Sequence, residues 1–357
     1  MLYEQYRNYT RVAKECRMDR HTVKRIVTRY QKEGLKGLED LSRRPRNSPN
    51  RTPEEIEKLV LDLRKKTNFG ATRLAWVLAK YFGKRISSSG IKKILKRHGV
   101  CKPHKIKSKY GKKREVFYPD FLEPLQFFFT DTKDLKDIKT LPNEAYEIVK
   151  SGKVPRYQFT AIDPISRMQF ISYGENKSMV NGVNFIFLLI AWLRTFGVMS
   201  RLFFQTDWGQ EFGGTSLRKL ASLNKFLENL NAEIIKIKRH TPVQNTFVER
   251  VHRTIDSEFY IPRLKEVQTT EHFIRMVHRW IAFYNLERPH MGKGMNGKSP
   301  FEKAKEFIPT LNQRVGLMPP IILDKLINDK LFTMHLSGEN LRDLYKILCH
   351  LWNVLLM

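Results

Sequence analysis

Three acids in this chain stand where a fold could use them as metal ligands. Asp207 lies in Phe203-Phe204-Gln205-Thr206-Asp207-Trp208-Gly209, where an apolar run reads as a buried strand over 201–206 that ends on a carboxylate and breaks on glycine. Taken alone, the same pattern describes an ordinary capping aspartate in a strand-to-loop turn. Two further acids weigh against that reading. Asp131 closes a strand expected over 125–130, and Glu249 lies in a helix expected over 245–260. In that helix Val248, Val251, Ile255 and Phe259 form the apolar stripe, while Glu249, Arg253 and Asp256 project together from one flank.

Brought together, three carboxylates repel one another and raise each other's pKa values. A pair of divalent cations removes that penalty, and hard oxygen ligands select Mg2+ or Mn2+ over zinc. Two such ions, roughly 3.5–4 Å apart, activate a water or a 3′-hydroxyl and stabilise the leaving oxygen in phosphoryl transfer. Rival acids are weaker. Asp134 and Asp137 fall past the first strand, facing Lys133 and Lys136; Glu211 sits in a flexible turn; Asp256 is two helical turns beyond Glu249. His252 borders the apolar stripe and reads as packed, since two-metal chemistry needs no histidine base.

The elements that must position these acids are five strands, over 125–130, 156–163, 167–173, 201–206 and 233–238, with helices over 176–196, 216–230 and 245–260. Three strands followed by alternating helix and strand describe a mixed five-stranded sheet with helices on its faces. Trp280, Phe283 and Tyr284 are spaced as one helix face and read as core. No stretch approaches the roughly 18 apolar residues of a membrane span. The three cysteines, Cys16, Cys101 and Cys349, form no CxxC pair, so neither disulfides nor zinc knuckles are implied. A cytoplasmic, nucleoid-associated protein is expected.

A net charge of +29 asks for a polyanionic partner, and nucleic acid leads. The first 40 residues read as helices around a turn. Asp19 caps the second, whose apolar series is Val23, Ile26, Val27 and Tyr30 and whose free face carries Arg20, His21, Lys24 and Arg25. A linker over 41–51 follows, where Arg43, Arg44 and Arg46 suit phosphates or a minor groove, or are simply solvated. A second helix-turn-helix-like unit spans 52–100. It starts at Thr52-Pro53-Glu54-Glu55, carries Leu74, Val77, Leu78 and Tyr81 on its middle helix, and turns Lys92, Lys93, Lys96 and Arg97 outward from its last. A basic linker over 101–119 leads to the core over 120–307 and a C-terminal tail over 308–357, where Leu341 to Val354 has amphipathic spacing.

Phe129-Thr130-Asp131-Thr132-Lys133-Asp134-Leu135, Thr206-Asp207-Trp208-Gly209-Gln210-Glu211-Phe212 and Pro242-Val243-Gln244-Asn245-Thr246-Phe247-Val248-Glu249-Arg250 resemble the three acidic motifs of the DDE transposases of bacterial insertion sequences, those with a retroviral-integrase-type core. Tyr284-Asn285-Leu286-Glu287-Arg288-Pro289-His290 and Lys298-Ser299-Pro300-Phe301 resemble the segment that closes that core. The resemblance implies helix-turn-helix units ahead of an RNase H-like α/β core. It also implies Asp131, Asp207 and Glu249 as catalytic metal ligands, two Mg2+ or Mn2+ ions, and DNA strand cleavage and transfer in a homo-oligomer. The implied DNA partners are terminal inverted repeats and target DNA. A DNA-bound regulator that has lost the chemistry is the second reading. Gln244, Asn245, Arg250 and Arg253 then hold substrate phosphates or form helix-surface salt bridges, and His240 and Thr241 touch the DNA end or a surface loop. The chain departs from the family at Trp208, where the family has Asn, and at Thr246, where it has Gly.

Overall fold

The computed structural model describes residues 2–40, 51–101, 123–137, 141–238 and 245–327. Arg43, Arg44, Arg46, His240, Thr241, Gln244 and the stretch 341–354 lie outside the described residues. The chain divides into two compact units, Met1–Pro53 and Glu54–Met357.

The first unit holds α1 (Leu2–Tyr6), α2 (Tyr9–Glu15) and α3 (Arg20–Glu33). Short polar side chains start the latter two. The Asn8 carboxamide accepts from the amides of Thr10 and Arg11, and the Asp19 carboxylate from those of His21 and Thr22. Val12, Ala13, Val23 and Val27 form the small core, and Arg20, His21, Lys24 and Arg25 are exposed on the opposite side.

The second unit begins with α4 (Glu54–Thr67), α5 (Ala71–Phe82) and α6 (Ser88–Arg97), packed around Val60, Leu74, Leu78, Ile91 and Ile94. Tyr81, expected on the apolar stripe of α5, is exposed instead, edge-on to Trp76 with the Lys80 ammonium over its ring. A phenol ring leaves its polar tip in water at little loss there. These helices dock on the rest of the unit: Phe69 stacks on Phe283, and Arg73 donates to the Pro289 carbonyl at 3.0 Å.

A five-stranded mixed sheet follows, in the order β3-β2-β1-β4-β5. Its strands are β1 (Phe127–Asp134), β2 (Tyr157–Ile162), β3 (Gln169–Gly174), β4 (Leu202–Thr206) and β5 (Ala232–Lys236). β1, β2 and β3 are antiparallel neighbours, whereas β4 lies parallel to both β1 and β5. A helix outside the elements expected from the sequence, α7 (Asn143–Lys150), sits between β1 and β2 in the chain and buries Ala145 and Val149.

Alternation along the strands splits the core in two. Phe128, Phe159, Phe170 and Phe204 face α8 (Met179–Thr195), which is apolar on nearly every side because it lies between the sheet and further chain. α9 (Leu217–Glu228) adds Leu227 to that layer. On the opposite face Phe127, Phe129 and Ile162 pack under α10 (Thr246–Ile255) through Phe247, Val248 and Val251. A π-helical turn, Asp256–Tyr260, continues that helix into α11 (Ile261–Arg263). α12 (Thr270–Leu286) then places Phe273, Val277 and Ile281 against the end of the sheet.

The core does not stop at residue 307, where the tail was expected to begin. After α13 (Pro300–Lys305), Leu311, Val315, Met318 and Ile321 are buried in the α8 cluster, and so are Leu323 and Leu326 of α14 (Leu323–Ile327). The Trp192 indole N–H donates to the Val315 carbonyl at 2.8 Å, fixing that segment to α8. None of the described helices is long and apolar enough to cross a membrane.

Candidate active site

β1 and β4 run side by side from Phe127 opposite Phe203 to Thr130 opposite Thr206, and there the parallel pairing stops. Asp131 and Asp207 are the next residue on each strand. β4 turns away at once. The Asp207 carboxylate accepts the Gly209 amide at 2.8 Å, and the Trp208 indole N–H donates to the Ile237 carbonyl at 3.0 Å, pinning the turn to the end of β5. β1 does not end at Thr130 as expected but continues to Asp134, because antiparallel β2 still offers partners from Thr160 to Tyr157. Asp131 therefore sits inside a strand with one side uncovered. By alternation it shares the α10 face with Phe127 and Phe129, as Asp207 does with Phe203.

Burial and the neighbouring Asp207 carboxylate push the Asp131 carboxyl up to about 7, with Glu211 adding to the rise and the Lys177 ammonium opposing it. Two adjacent, partly buried acids favour a shared cation or a retained proton. Across from them, the His252 Nδ1 lies 3.9 Å from Asp131 while its Nε2 meets the Thr160 hydroxyl at 3.1 Å. Burial and the nearby Lys133 lower His252 to about 3, so the imidazole is neutral near pH 7 and puts no charge on the acids. One alternation step along the strand, Lys133 donates to Asp256 at 2.7 Å.

Glu211 was expected in a flexible turn and is instead fully buried. The Lys177 ammonium stands 3.0 Å from its carboxylate. Two glycines make the room. A Cβ on Gly182 of α8 would lie 2.0 Å from the Glu211 carbonyl oxygen, and one on Gly209 would lie 2.4 Å from its carboxylate. Lys236 closes the turn, donating to the carbonyls of Asp207 at 2.8 Å and Phe212 at 2.7 Å. Neither Lys177 nor Lys236 was legible as a site residue, since nothing in their spacing ties them to the acids.

Glu249 lies on α10 one turn before His252, yet its carboxylate is turned to Arg253 at 3.4 Å. Asp256, on the same flank, is taken by Lys133. Asp134 pairs with Arg156 at 3.0 Å, not with the expected lysine. Among the described residues no three His, Cys, Asp or Glu side chains come close enough to hold a metal ion together. The donor set still fits a hard divalent cation: Asp131 and Asp207 supply carboxylate oxygens on one face, and burial together with the Asp207 charge raises the Asp131 carboxyl, a cost that a bound cation would offset.

Of the basic residues, Lys92, Lys93 and Lys96 are exposed on α6, whereas Arg97 is drawn to the buried Glu57 at 3.1 Å. Arg250 is exposed, and Asn245 is buried just ahead of α10.

Known protein families match the chain in both its helical and its α/β parts. A Homeodomain-like domain family matches residues 22–95, and another Homeodomain-like domain family matches residues 1–39. An Integrase core domain family matches residues 230–300, from the edge of β5 through α10 to α13. Residues 230–300 are similar to an integrase core domain. Joined to the homeodomain-like helices, that core is consistent with an insertion-sequence transposase. No curated protein matches the chain closely enough to count as a relative. The integrase core segment contains Glu249, so the third acid falls inside the matched region. Integrase core domains generally use divalent metal ions.

Proposed function

We propose that this protein is a DDE-type transposase that cleaves and joins DNA at the ends of an insertion sequence. One observation supports it above the others: Asp131 and Asp207 emerge side by side where the parallel ladder ends, and burial together with the Asp207 charge holds Asp131 partly protonated near neutral pH. Asp131, Asp207 and Glu249 are the residues that would hold two Mg2+ or Mn2+ ions. Such ions supply Lewis-acid activation of an attacking oxygen and neutralise the leaving oxygen. The chain's own residues do the rest. Asp207 is oriented by the Gly209 amide, Asp131 by the Thr132 amide at 2.8 Å, and the neutral His252 packs beside them without competing as a cation. The exposed cations of α3 and α6 bind terminal inverted repeats, and assembly on two ends makes a homo-oligomer.

The test is Mn2+- or Mg2+-dependent cleavage and joining of labelled terminal DNA by wild type and by Asp207→Asn. Loss of both reactions, with end binding kept within a few-fold, is the expected result. Wild-type strand transfer by the variant rejects the assignment.

A second reading, a DNA-bound regulator without chemistry, is favoured by one contact. The Glu249 carboxylate faces Arg253 rather than the two aspartates. End binding by wild type with no joining at any divalent concentration supports that reading.

A further inference from the structure

α10 has two working flanks. One carries Glu249, His252 and Arg253. The adjacent one, with Phe247, Arg250, Val251 and Thr254, forms a wall of a cavity of about 240 Å³ that the acidic centre does not use. Its other walls come from α5, the turn between β2 and β3, and the loop after α12. That volume is below the roughly 300–1,000 Å³ of pockets that enclose a drug-sized ligand. It suits one phosphate with its sugar.

The charge of the lining is one-sided. Arg73, Arg167, Arg250, Arg288 and Lys293 line it, and Arg73 and Arg288 share a single carboxylate, Glu258. That shared ion pair is structural: Arg288 grips Glu258 at 2.6 and 2.7 Å, and Arg73 reaches it at 2.9 Å. Arg250 and Lys293 are different. Both are exposed, and among the described residues neither meets a carboxylate. Burial, and then the arginines around it, hold the His290 imidazole well below the usual range, so the histidine does not add a proton to the site. The floor is apolar. Phe247, Ile162 and Tyr284 form it, with the Arg167 guanidinium over the Phe247 ring at 4.3 Å.

Exposed, uncommitted cations beside apolar side chains match a sugar-phosphate, whose anion needs charge and whose ribose does not. The geometry points to this cavity as a binding site for a phosphodiester of the DNA backbone, held by Arg250 and Lys293 beside α10. The site rests on the reading of the chain as a DNA-processing protein. It does not depend on the chemistry at Asp131 and Asp207.

The experiment uses the full chain carrying Asp207→Asn, so that no cleavage complicates binding. Duplex DNA affinity is measured by fluorescence anisotropy across a salt series for that protein and for additional Arg250→Ala, Lys293→Ala, the double change and Arg250→Lys. Each phosphate contact contributes about one unit to the slope of log affinity against log salt. The double change is expected to lower the slope by about two and the affinity on the order of tenfold. Arg250→Lys should keep most of the slope. Lys150→Ala, an exposed cation outside the lining, should leave it unchanged. Thermal melts confirm that each variant is folded. A double variant that is folded and keeps the parent slope and affinity overturns the proposal. Titration with inorganic phosphate alone separates the sources. Phosphate binding lost in the double variant, while duplex binding stays at the parent value, assigns the cavity to a free anion and overturns its assignment to DNA.

Discussion

The Lys133 ammonium meets the Asp256 carboxylate at 2.7 Å, with both side chains nearly out of solvent, one alternation step along β1 from Asp131. This ion pair bolts the strand that carries one acid to the helix that carries another. Removing one member leaves an uncompensated buried charge, so Asp256→Ala should destabilise by about 3–5 kcal/mol, read as a shift in the urea midpoint. The double change Lys133→Met with Asp256→Leu is expected to recover much of that loss. A double variant no more stable than Asp256→Ala would remove the pair from this role.

The raised Asp131 carboxyl fixes the direction of two pH dependences. In the unfolded chain it titrates near its ordinary value of 3.8, and in the fold at about 7. The native state therefore binds the extra proton between those values. Stability of the metal-free protein should fall as pH rises from about 4 to 7, then level off with respect to this group. Divalent binding must displace that proton, so Mn2+ affinity should climb with pH up to about 7. Thermal melts with and without Mn2+ across that range check both slopes, and Asp131→Asn should flatten them.

Gly182→Ala tests the seat of Glu211. The added methyl would meet a backbone oxygen at 2.0 Å, which cannot swing aside as a flexible side chain can. Overpacking of that kind costs about 1–3 kcal/mol. The expected outcome is a lower melting temperature together with weaker Mn2+ binding, since the turn from Asp207 to Phe212 must shift. A normal melt with normal Mn2+ binding would show that the turn tolerates the change.

Arg253 holds Glu249 only weakly. Their contact is an exposed pair four residues apart on one helix, a class that contributes about 0.3–0.5 kcal/mol. Arg253→Ala should therefore change Mn2+ affinity by less than about threefold. A gain of tenfold or more in calorimetric titration would mean that the arginine restrains the acid.

Periodicity carried most of the fold: the five strands, α8 and the capped start at Asp19 all follow from local pattern. The features that escaped have a common cause. β1 looks finished at Thr130 because Asp-Thr-Lys-Asp is polar, but Lys133 and Asp134 find partners at Asp256 and Arg156 that no local window contains. Glu211 reads as a surface acid until Gly182, from another element, lets its backbone approach. α7 was missed although Ala145, Ile148 and Val149 have helical spacing, since no capping side chain marks its start. Of the three acids, two meet through sheet register alone. The position of the third depends on a helix whose preceding residues, 239–244, lie outside the described residues.

The π-helical turn over Asp256–Tyr260 inserts a wider coil between α10 and α11. Residues ahead of it and behind it are thereby phased separately. His252 can keep its aim at the sheet while Glu258, beyond the start of the wide turn, faces Arg73 and Arg288. Excising a single residue there would restore an ordinary helix and swing one half by about a hundred degrees relative to the other. Either the imidazole or the arginine clasp would then lose its partner.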